Sequence, residues 1–163
     1  MMPEVLFAPW RYEYLVAEKS KGCIFCEAAA STNEEESLIV HRGRRVFVLL
    51  NRYPYTNGHL MVAPYDHLSR PSQSDADTLT ELITTVARGE KILSDTYRTD
   101  GLNIGANLGS AAGAGVEDHY HVHLVPRWSG DTNFMTVAGG VRVVPEDLLV
   151  TRRRLAPLFE AGT

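Results

Sequence analysis

Three of the six histidines, His119, His121 and His123, occupy alternate positions in a stretch where apolar and polar residues alternate. Such alternation predicts a β-strand, in which residues two apart are separated by about 6.6 Å and point to the same face. The imidazoles should therefore form one row, with the residues between them facing the core. Imidazole is a poor strand former with two ring nitrogens that need partners, so a functional role explains three of them better than packing does. The alternatives are a solvent-exposed polar face and a three-histidine metal site.

A glycine-rich segment, residues 105–115, immediately precedes this strand. Glycine permits positive φ and a close approach of the main chain, so backbone N–H groups in such a segment can surround an anion such as phosphate. A plain hairpin loop would also be rich in Gly and Ala. The apolar run before the segment, residues 102–107, is predicted to be a strand that pairs antiparallel with the histidine strand.

Together the two segments resemble the histidine triad family of nucleotide hydrolases and transferases, whose signature is His-φ-His-φ-His-φ-φ with φ apolar. Residues 119–125 fit this signature at every position. Residues 126–134 and the aromatic-basic arm around Trp10 resemble the branch that contains diadenosine tetraphosphate phosphorylases. Many family members have Gly-Gln before the triad, whereas this chain has Gly-Ala-Gly at 113–115 and one additional residue before the first histidine. This departure favours the phosphorylase-like branch.

The resemblance implies specific roles around the triad. His121 is the expected nucleophile, since a neutral imidazole can attack the α-phosphorus when its other ring nitrogen is held by an acceptor. His123 and Asn107 are expected to hold non-bridging phosphate oxygens. Amides of the glycine-rich segment, including those at Gly113 and Gly115, are expected to neutralise the charge that develops there.

Two further polar residues flank a proline-containing turn between predicted strands. The resemblance gives Asn51, at the end of the first of these strands, a contact with the nucleotide ribose. The alternative is that Asn51 only caps the strand end. His59 follows the glycine that closes the turn and is interpreted as a structural or supporting residue.

The only two cysteines, Cys23 and Cys26, place two thiols on one turn. A thioredoxin-type redox pair would require a preceding strand in a βαβ unit, and nothing upstream supplies one. A tetrahedral zinc site would require two further nitrogen or sulfur ligands. The resemblance implies that His67 and His119 complete such a site, with zinc in a structural role.

The composition fits one globular domain that spans residues 1–163, since 44% of the 163 residues are hydrophobic and 22% are charged. A net charge of −4 argues against a broad surface for nucleic acid, although a nucleotide could still bind in a local pocket. The chain has no long apolar run and no signal-peptide pattern at its start, so it is expected to avoid membranes and to be cytoplasmic. The family resemblance further implies a homodimer.

The expected fold is α+β, a histidine triad fold with an antiparallel meander sheet, one long helix and a C-terminal helix. The long amphipathic helix should begin after Ser72 or Ser74 and end near Tyr97, and the C-terminal helix should span 146–159. Residues 1–22 are expected to form an N-terminal arm, and residues 129–163 a C-terminal extension. Strands are predicted at 38–40, 45–51, 59–63, 102–107 and 119–128. The buried face of the long helix is predicted to comprise Leu79, Leu82, Ile83, Val86, Leu93 and Tyr97.

The resemblance therefore predicts an enzyme that cleaves dinucleoside polyphosphates of the diadenosine tetraphosphate type through a covalent nucleotidyl-His121 intermediate. Inorganic phosphate is the expected acceptor. Two alternatives remain at this point. The first is a hydrolase that uses water to cleave nucleoside phosphoramidates or dinucleoside polyphosphates, and the second is a zinc-stabilised nucleotide-binding adaptor without useful turnover.

Overall fold

The computed structural model describes residues 22–131 and 146–161. The predicted N-terminal arm therefore lies outside the described residues except at Gly22, as do residues 132–145 and 162–163 of the predicted C-terminal extension. The helices are α1 (Ile24–Ala30), α2 (Glu34–Ser37), α3 (Ala76–Tyr97) and α4 (Leu148–Glu160). The strands are β1 (Ile39–Arg42), β2 (Val46–Leu50), β3 (Leu60–Pro64), β4 (Gly101–Gly105) and β5 (Val122–Arg127).

The five strands form one antiparallel sheet in the order β1-β2-β3-β5-β4. The expected meander is correct for β1, β2 and β3 but wrong for the last two strands, because β5 lies between β3 and β4. The long helix α3 is the physical reason, since it carries the chain away from β3 and returns it at the far edge of the sheet. The hairpin of β4 and β5 then places β5 beside β3, with Met61 opposite His123.

The two faces of the sheet carry separate apolar clusters. On β2, Val46, Val48 and Leu50 face α3 and α4, whereas Phe47 and Leu49 face α1. This division follows from the two-residue period of a strand and explains why β2 is apolar throughout. Because Met61 belongs to the α1 cluster and pairs with His123, the α1 face is the one that carries the triad.

Helix α3 begins one residue after Asp75, whose side chain accepts a hydrogen bond from the N–H of Thr78. Its buried face includes Leu82, Val86 and Leu93, as the sequence predicted. The prediction for Ile83 was wrong, since its side chain is 61% exposed. At Gly89, where an added Cβ would lie only 3.0 Å from Leu124 Cδ2, the absence of a side chain lets the helix approach β5 closely.

Regular pairing of the triad strand begins later than its sequence predicts. Strand β5 starts at Val122, so His119 and His121 precede it. The N–H of Tyr120 donates to Leu68 O at 2.7 Å, which binds this stretch to the loop after β3 instead of to a neighbouring strand. Tyr120 and Leu124 nevertheless face the α3 cluster, as expected from the alternation.

Candidate functional site

The three triad histidines form the predicted row on the α1 face of the sheet. The His121 and His123 rings lie 4.7 Å apart between centroids. His119 and His121 are buried, and His123 is partly exposed. His67 lies against His119 at one end of the row, and His59 lies against His123 at the other. The row therefore comprises five imidazoles rather than three.

The central histidine is held in one tautomer by the main chain. Nδ1 of His121 lies 3.0 Å from His119 O. A carbonyl oxygen only accepts hydrogen bonds, so Nδ1 carries the proton and Nε2 keeps its lone pair. Burial lowers the pKa of His121 below its ordinary value, against the opposing effect of the bond to His119 O. A buried, neutral imidazole with a defined lone pair has the properties that a nucleophile requires at neutral pH.

A second series of hydrogen bonds, which runs from Tyr55 through His59, fixes the tautomer of His123. The backbone N–H of Tyr55 donates to His59 Nδ1 at 3.1 Å, so the proton of the neutral His59 ring lies on Nε2. His59 Nε2 lies 2.9 Å from His123 Nδ1, which must then accept. The proton of neutral His123 is consequently on Nε2, away from His59. Burial, followed by the nearby His121, lowers the pKa of His123 to about 4.

His123 also borders a cleft of about 910 Å³ that runs along the β4–β5 hairpin. Asn107 lines this cleft too, which brings two of the expected phosphate-binding side chains together. Arg127 is part of the lining, but its guanidinium is engaged by both carboxylate oxygens of Asp131 at 2.6 and 2.8 Å. This ion pair occupies the Nε and Nη2 donors of the guanidinium and partly offsets its positive charge.

The glycine-rich segment folds into a compact turn. Gly109 and Gly113 have φ values of 83° and 81°, a region that strains residues with a side chain. Asn107 Nδ2 lies 3.5 Å from Gly113 O. The N–H of Gly113 donates to Ser110 O within the turn, so this amide is occupied, whereas the N–H of Gly115 makes no hydrogen bond within the described residues.

Asn51 lies apart from this cleft. Its Oδ1 accepts a hydrogen bond from the N–H of Tyr53 at 2.9 Å, and its own N–H donates to His59 O. These contacts match the strand-cap interpretation. They leave the Nδ2 donor and the second lone pair of Oδ1 as the groups through which Asn51 could contact a ribose.

The predicted metal ligands converge at the other end of the row. One ligand atom from each of Cys23, Cys26, His67 and His119 lies within 4.8 Å of all the others. His119 Nδ1 is 3.3 Å from Cys23 Sγ and 3.6 Å from Cys26 Sγ, and His67 Nδ1 is 3.3 Å from Cys26 Sγ. Tetrahedral zinc with bonds of about 2.3 Å to sulfur and about 2.1 Å to nitrogen would separate such atoms by about 3.6 Å. The donor set and its spacing therefore fit zinc.

His119 is oriented for this role by a hydrogen bond to the main chain. Its Nε2 lies 2.9 Å from Pro64 O, so Nε2 carries the proton and Nδ1 is left to face the thiols. Metal-binding histidines commonly donate their other N–H to a carbonyl in this way. Burial is the main cause that lowers the pKa of His119, which also favours the neutral, ligating form.

One contributor to the site was not singled out by its sequence. Phe25, between the two cysteines on α1, is fully buried and packs against two triad rings. A phenylalanine within an apolar helix is normally a core residue, so only its position inside the Cys-x-x-Cys motif could have drawn attention to it.

The fold and the triad together define a member of the histidine triad class. Residues 32–130 match the family model of the HIT domain, and the chain belongs to the HIT family. An AP-4-A phosphorylase from Mycobacterium tuberculosis is 38% identical over 159 residues, which cover 93% of this chain and 82% of that protein. A Schizosaccharomyces pombe protein named bis(5'-nucleosyl)-tetraphosphatase (asymmetrical) is 30% identical, over 58% of this chain and 52% of its own length.

Solved structures show the same fold. A zinc-bound histidine triad family protein from Mycobacterium smegmatis superimposes with a TM-score of 0.69 at 25% identity, covering 88% of this chain and 96% of that one. A hypothetical histidine triad nucleotide-binding protein from Sulfolobus tokodaii gives 0.68 at 28% identity, covering 85% and 93%. Among the described residues, no helix has the length and apolar character needed to cross a membrane.

Proposed function

We propose that this protein cleaves dinucleoside polyphosphates of the diadenosine tetraphosphate type by moving a nucleotidyl group first to His121 and then to inorganic phosphate. The observation that carries the proposal is the 3.0 Å contact between His121 Nδ1 and His119 O, which leaves the Nε2 lone pair for phosphorus. The 38% identity to a protein named AP-4-A phosphorylase supports the choice of substrate and acceptor.

In the first step, His121 Nε2 attacks the α-phosphorus of one adenylyl group. The bond between that phosphorus and the bridging oxygen breaks, and ATP leaves. His123 Nε2–H and Asn107 Nδ2, two of the side-chain donors that line the cleft, are proposed to bind phosphate oxygens. The N–H of Gly115, which makes no hydrogen bond within the described residues, is a further main-chain donor, whereas that of Gly113 would have to leave Ser110 O in order to contribute.

In the second step, an oxygen of inorganic phosphate attacks the same phosphorus and displaces His121. ADP forms, and the neutral imidazole is regenerated. The Gly-Ala-Gly sequence at 113–115 has no long side chain that would fill the space before the triad, and an added Cβ at Gly113 or Gly115 would meet nothing within 4 Å. We propose that the second anion binds in this open space.

We also propose that Cys23, Cys26, His67 and His119 hold a structural zinc ion. Four protein ligands close the coordination shell, so zinc would contribute stability and would not activate a water molecule. Its ligands connect α1 to the loop after β3 and to the triad. Both thiols are unpaired in the structure, which fits a reducing, cytoplasmic location.

A homodimer is part of the same proposal. Strand β4 forms one edge of the sheet, and its Ile104 side chain is exposed. An uncovered edge strand offers a row of main-chain donors and acceptors to another strand. Pairing of β4 with its symmetry mate would satisfy these groups, and sedimentation analysis of the wild type beside Ile104→Glu would test it.

The experiment that tests the acceptor is product analysis. Diadenosine tetraphosphate should yield ADP and ATP when millimolar inorganic phosphate is present, because a bound and oriented anion can outcompete water. AMP and ATP as the products at every phosphate concentration would indicate a hydrolase and would contradict phosphorolysis. No cleavage by the zinc-loaded, folded protein would contradict the enzymatic proposal and favour a nucleotide-binding adaptor.

A further inference from the structure

Helix α1, which carries the second cysteine of the Cys-x-x-Cys motif, contacts the proposed nucleophile His121 directly through the side chain of Phe25. The Phe25 ring lies 4.5 Å from the His121 ring at an interplanar angle of 34°, and 5.2 Å from the His119 ring at 42°. Phe25 is completely buried, so this wall of the site is sealed from water. One side chain therefore packs against the candidate nucleophile and against the residue whose carbonyl binds it.

These contacts restrict His121 in two independent ways. The hydrogen bond from Nδ1 to His119 O fixes one ring nitrogen but does not by itself prevent the ring from tilting about that bond. A flat aromatic surface packed against the imidazole prevents this tilt. The direction of the Nε2 lone pair should therefore depend on Phe25 as well as on the hydrogen bond. Small errors in the orientation of a reacting group lower the rate of catalysis strongly.

The position of Phe25 is determined by the helix that carries it. Cys23 and Cys26 flank it, and both thiols face His119. On its other side, Phe25 packs into the apolar cluster that includes Phe47 and Met61. Movement of α1 would thus displace the ring from His121. The HIT-domain match begins at residue 32, so Phe25 lies outside the segment that defines the family in this chain.

We propose that Phe25 is a positioning residue for His121, and that α1, fastened by its two cysteines, sets the geometry of the nucleophile as well as stabilising the fold. This inference rests on the proposed function only for its kinetic consequence. Its structural consequence, a restrained His121 ring, can be measured on the protein without substrate.

The test compares Phe25→Leu with Phe47→Leu. Both phenylalanines are fully buried in the same cluster, but Phe47 packs against Tyr65 in a tilted arrangement and makes no ring contact with the triad. Each replacement removes an aromatic ring from the core, so both variants should lose stability. Phe25→Leu should lower kcat by about 10- to 100-fold with a smaller change in KM, whereas Phe47→Leu should keep kcat close to wild type at the same folded fraction.

Nitrogen-edited NMR of the imidazoles supplies the readout that is independent of turnover. The His121 Nδ1–H signal should be sharp in the wild type and in Phe47→Leu. In Phe25→Leu it should be broadened by exchange with water, while zinc content stays at the wild-type level. Equal kcat and equal signals in the two variants would overturn the proposal, as would a Phe25→Leu effect confined to KM, which would make the ring a substrate contact. If the wild type has no activity, the proposed function fails and the NMR comparison still decides the positioning role.

Discussion

The first and last histidines of the triad, His119 and His123, use the same side chain in opposite ways. At one end His119 is buried, donates from Nε2 to Pro64 O and turns Nδ1 toward two thiols. At the other end His123 is partly exposed, accepts at Nδ1 from His59 and directs its Nε2 proton away from that partner. His121 lies between them, with a proton on Nδ1 and a lone pair on Nε2.

The difference shows that the hydrogen-bond partner of one ring nitrogen determines whether the other nitrogen carries a proton or a lone pair. A carbonyl partner forces a proton onto the nitrogen that contacts it and frees the opposite nitrogen to bind a metal or attack phosphorus. A donor partner has the reverse effect and leaves a proton for an anion. Three identical residues at a two-residue spacing can therefore serve as ligand, nucleophile and hydrogen-bond donor.

The largest predicted effect is that of His121→Ala. Removal of the proposed nucleophile should lower kcat by about 10⁴-fold or more, because the covalent step would lose the Nε2 lone pair that attacks phosphorus. The variant should keep its melting temperature and its affinity for a non-cleavable analogue within a small margin. Near-normal turnover in His121→Ala under conditions where His123→Ala is inactive would reverse the roles of these two histidines.

Removal of a thiol tests the proposed zinc site at the His119 end of the triad. Cys23→Ser should lose zinc and several kcal/mol of stability, since zinc affinity in a closed site contributes directly to folding. Elemental analysis and thermal unfolding measure both effects. The control is wild-type protein treated with a chelator, which should melt near the temperature of the variant. Full zinc content or an unchanged melting temperature in Cys23→Ser would contradict the proposed structural zinc site.

Replacement of His59 tests the end of the triad that contains His123. His59→Ala removes the donor to His123 Nδ1, so the His123 ring loses its fixed tautomer, and kcat should fall by about 10- to 100-fold. His59→Gln offers an amide N–H at a similar reach and should recover part of this loss. Zinc content should not change in either variant. Equal and normal kcat values for both would show that His59 only fills space.

The smallest predicted effect is the pH dependence of stability. Burial lowers the pKa of His123 to about 4, whereas the unfolded chain binds its proton near pH 6.5. Between these values the unfolded state holds more protons, so the free energy of unfolding falls as the pH is lowered. The melting temperature should drop from pH 7.5 to pH 5 and should drop less in His123→Gln. The same drop in both proteins would assign it to other groups.

The sequence predicted the parts of the fold that depend on local patterns. Alternation at 119–125 placed the three imidazoles on one face, and the predicted caps of α3, Ser72 or Ser74, lie within three residues of its N-cap Asp75. Strand order could not be obtained in this way, because the insertion of β5 between β3 and β4 depends on where α3 delivers the chain. The exposure of Ile83 was missed for a related reason, since the face of a helix that is buried depends on what packs against it.

The candidate site was predictable where its residues resemble a motif. The four proposed metal ligands lie as many as 96 positions apart, at Cys23 and His119, and only the family resemblance connected them before the structure brought their atoms together. The hydrogen bond from Tyr55 to His59 and the packing of Phe25 on His121 have no local signature. Each depends on a contact between segments that the sequence does not place next to each other.

The stereochemical course at phosphorus tests the central claim most directly. The substrate would be a dinucleoside tetraphosphate made chiral at the α-phosphorus with sulfur and isotopic oxygen, and the configuration of the product would be determined by phosphorus NMR. Transfer to His121 followed by transfer to phosphate inverts the centre twice, so the account predicts net retention of configuration. Inversion would mean that the acceptor attacks the substrate directly, and would contradict a covalent nucleotidyl-His121 intermediate.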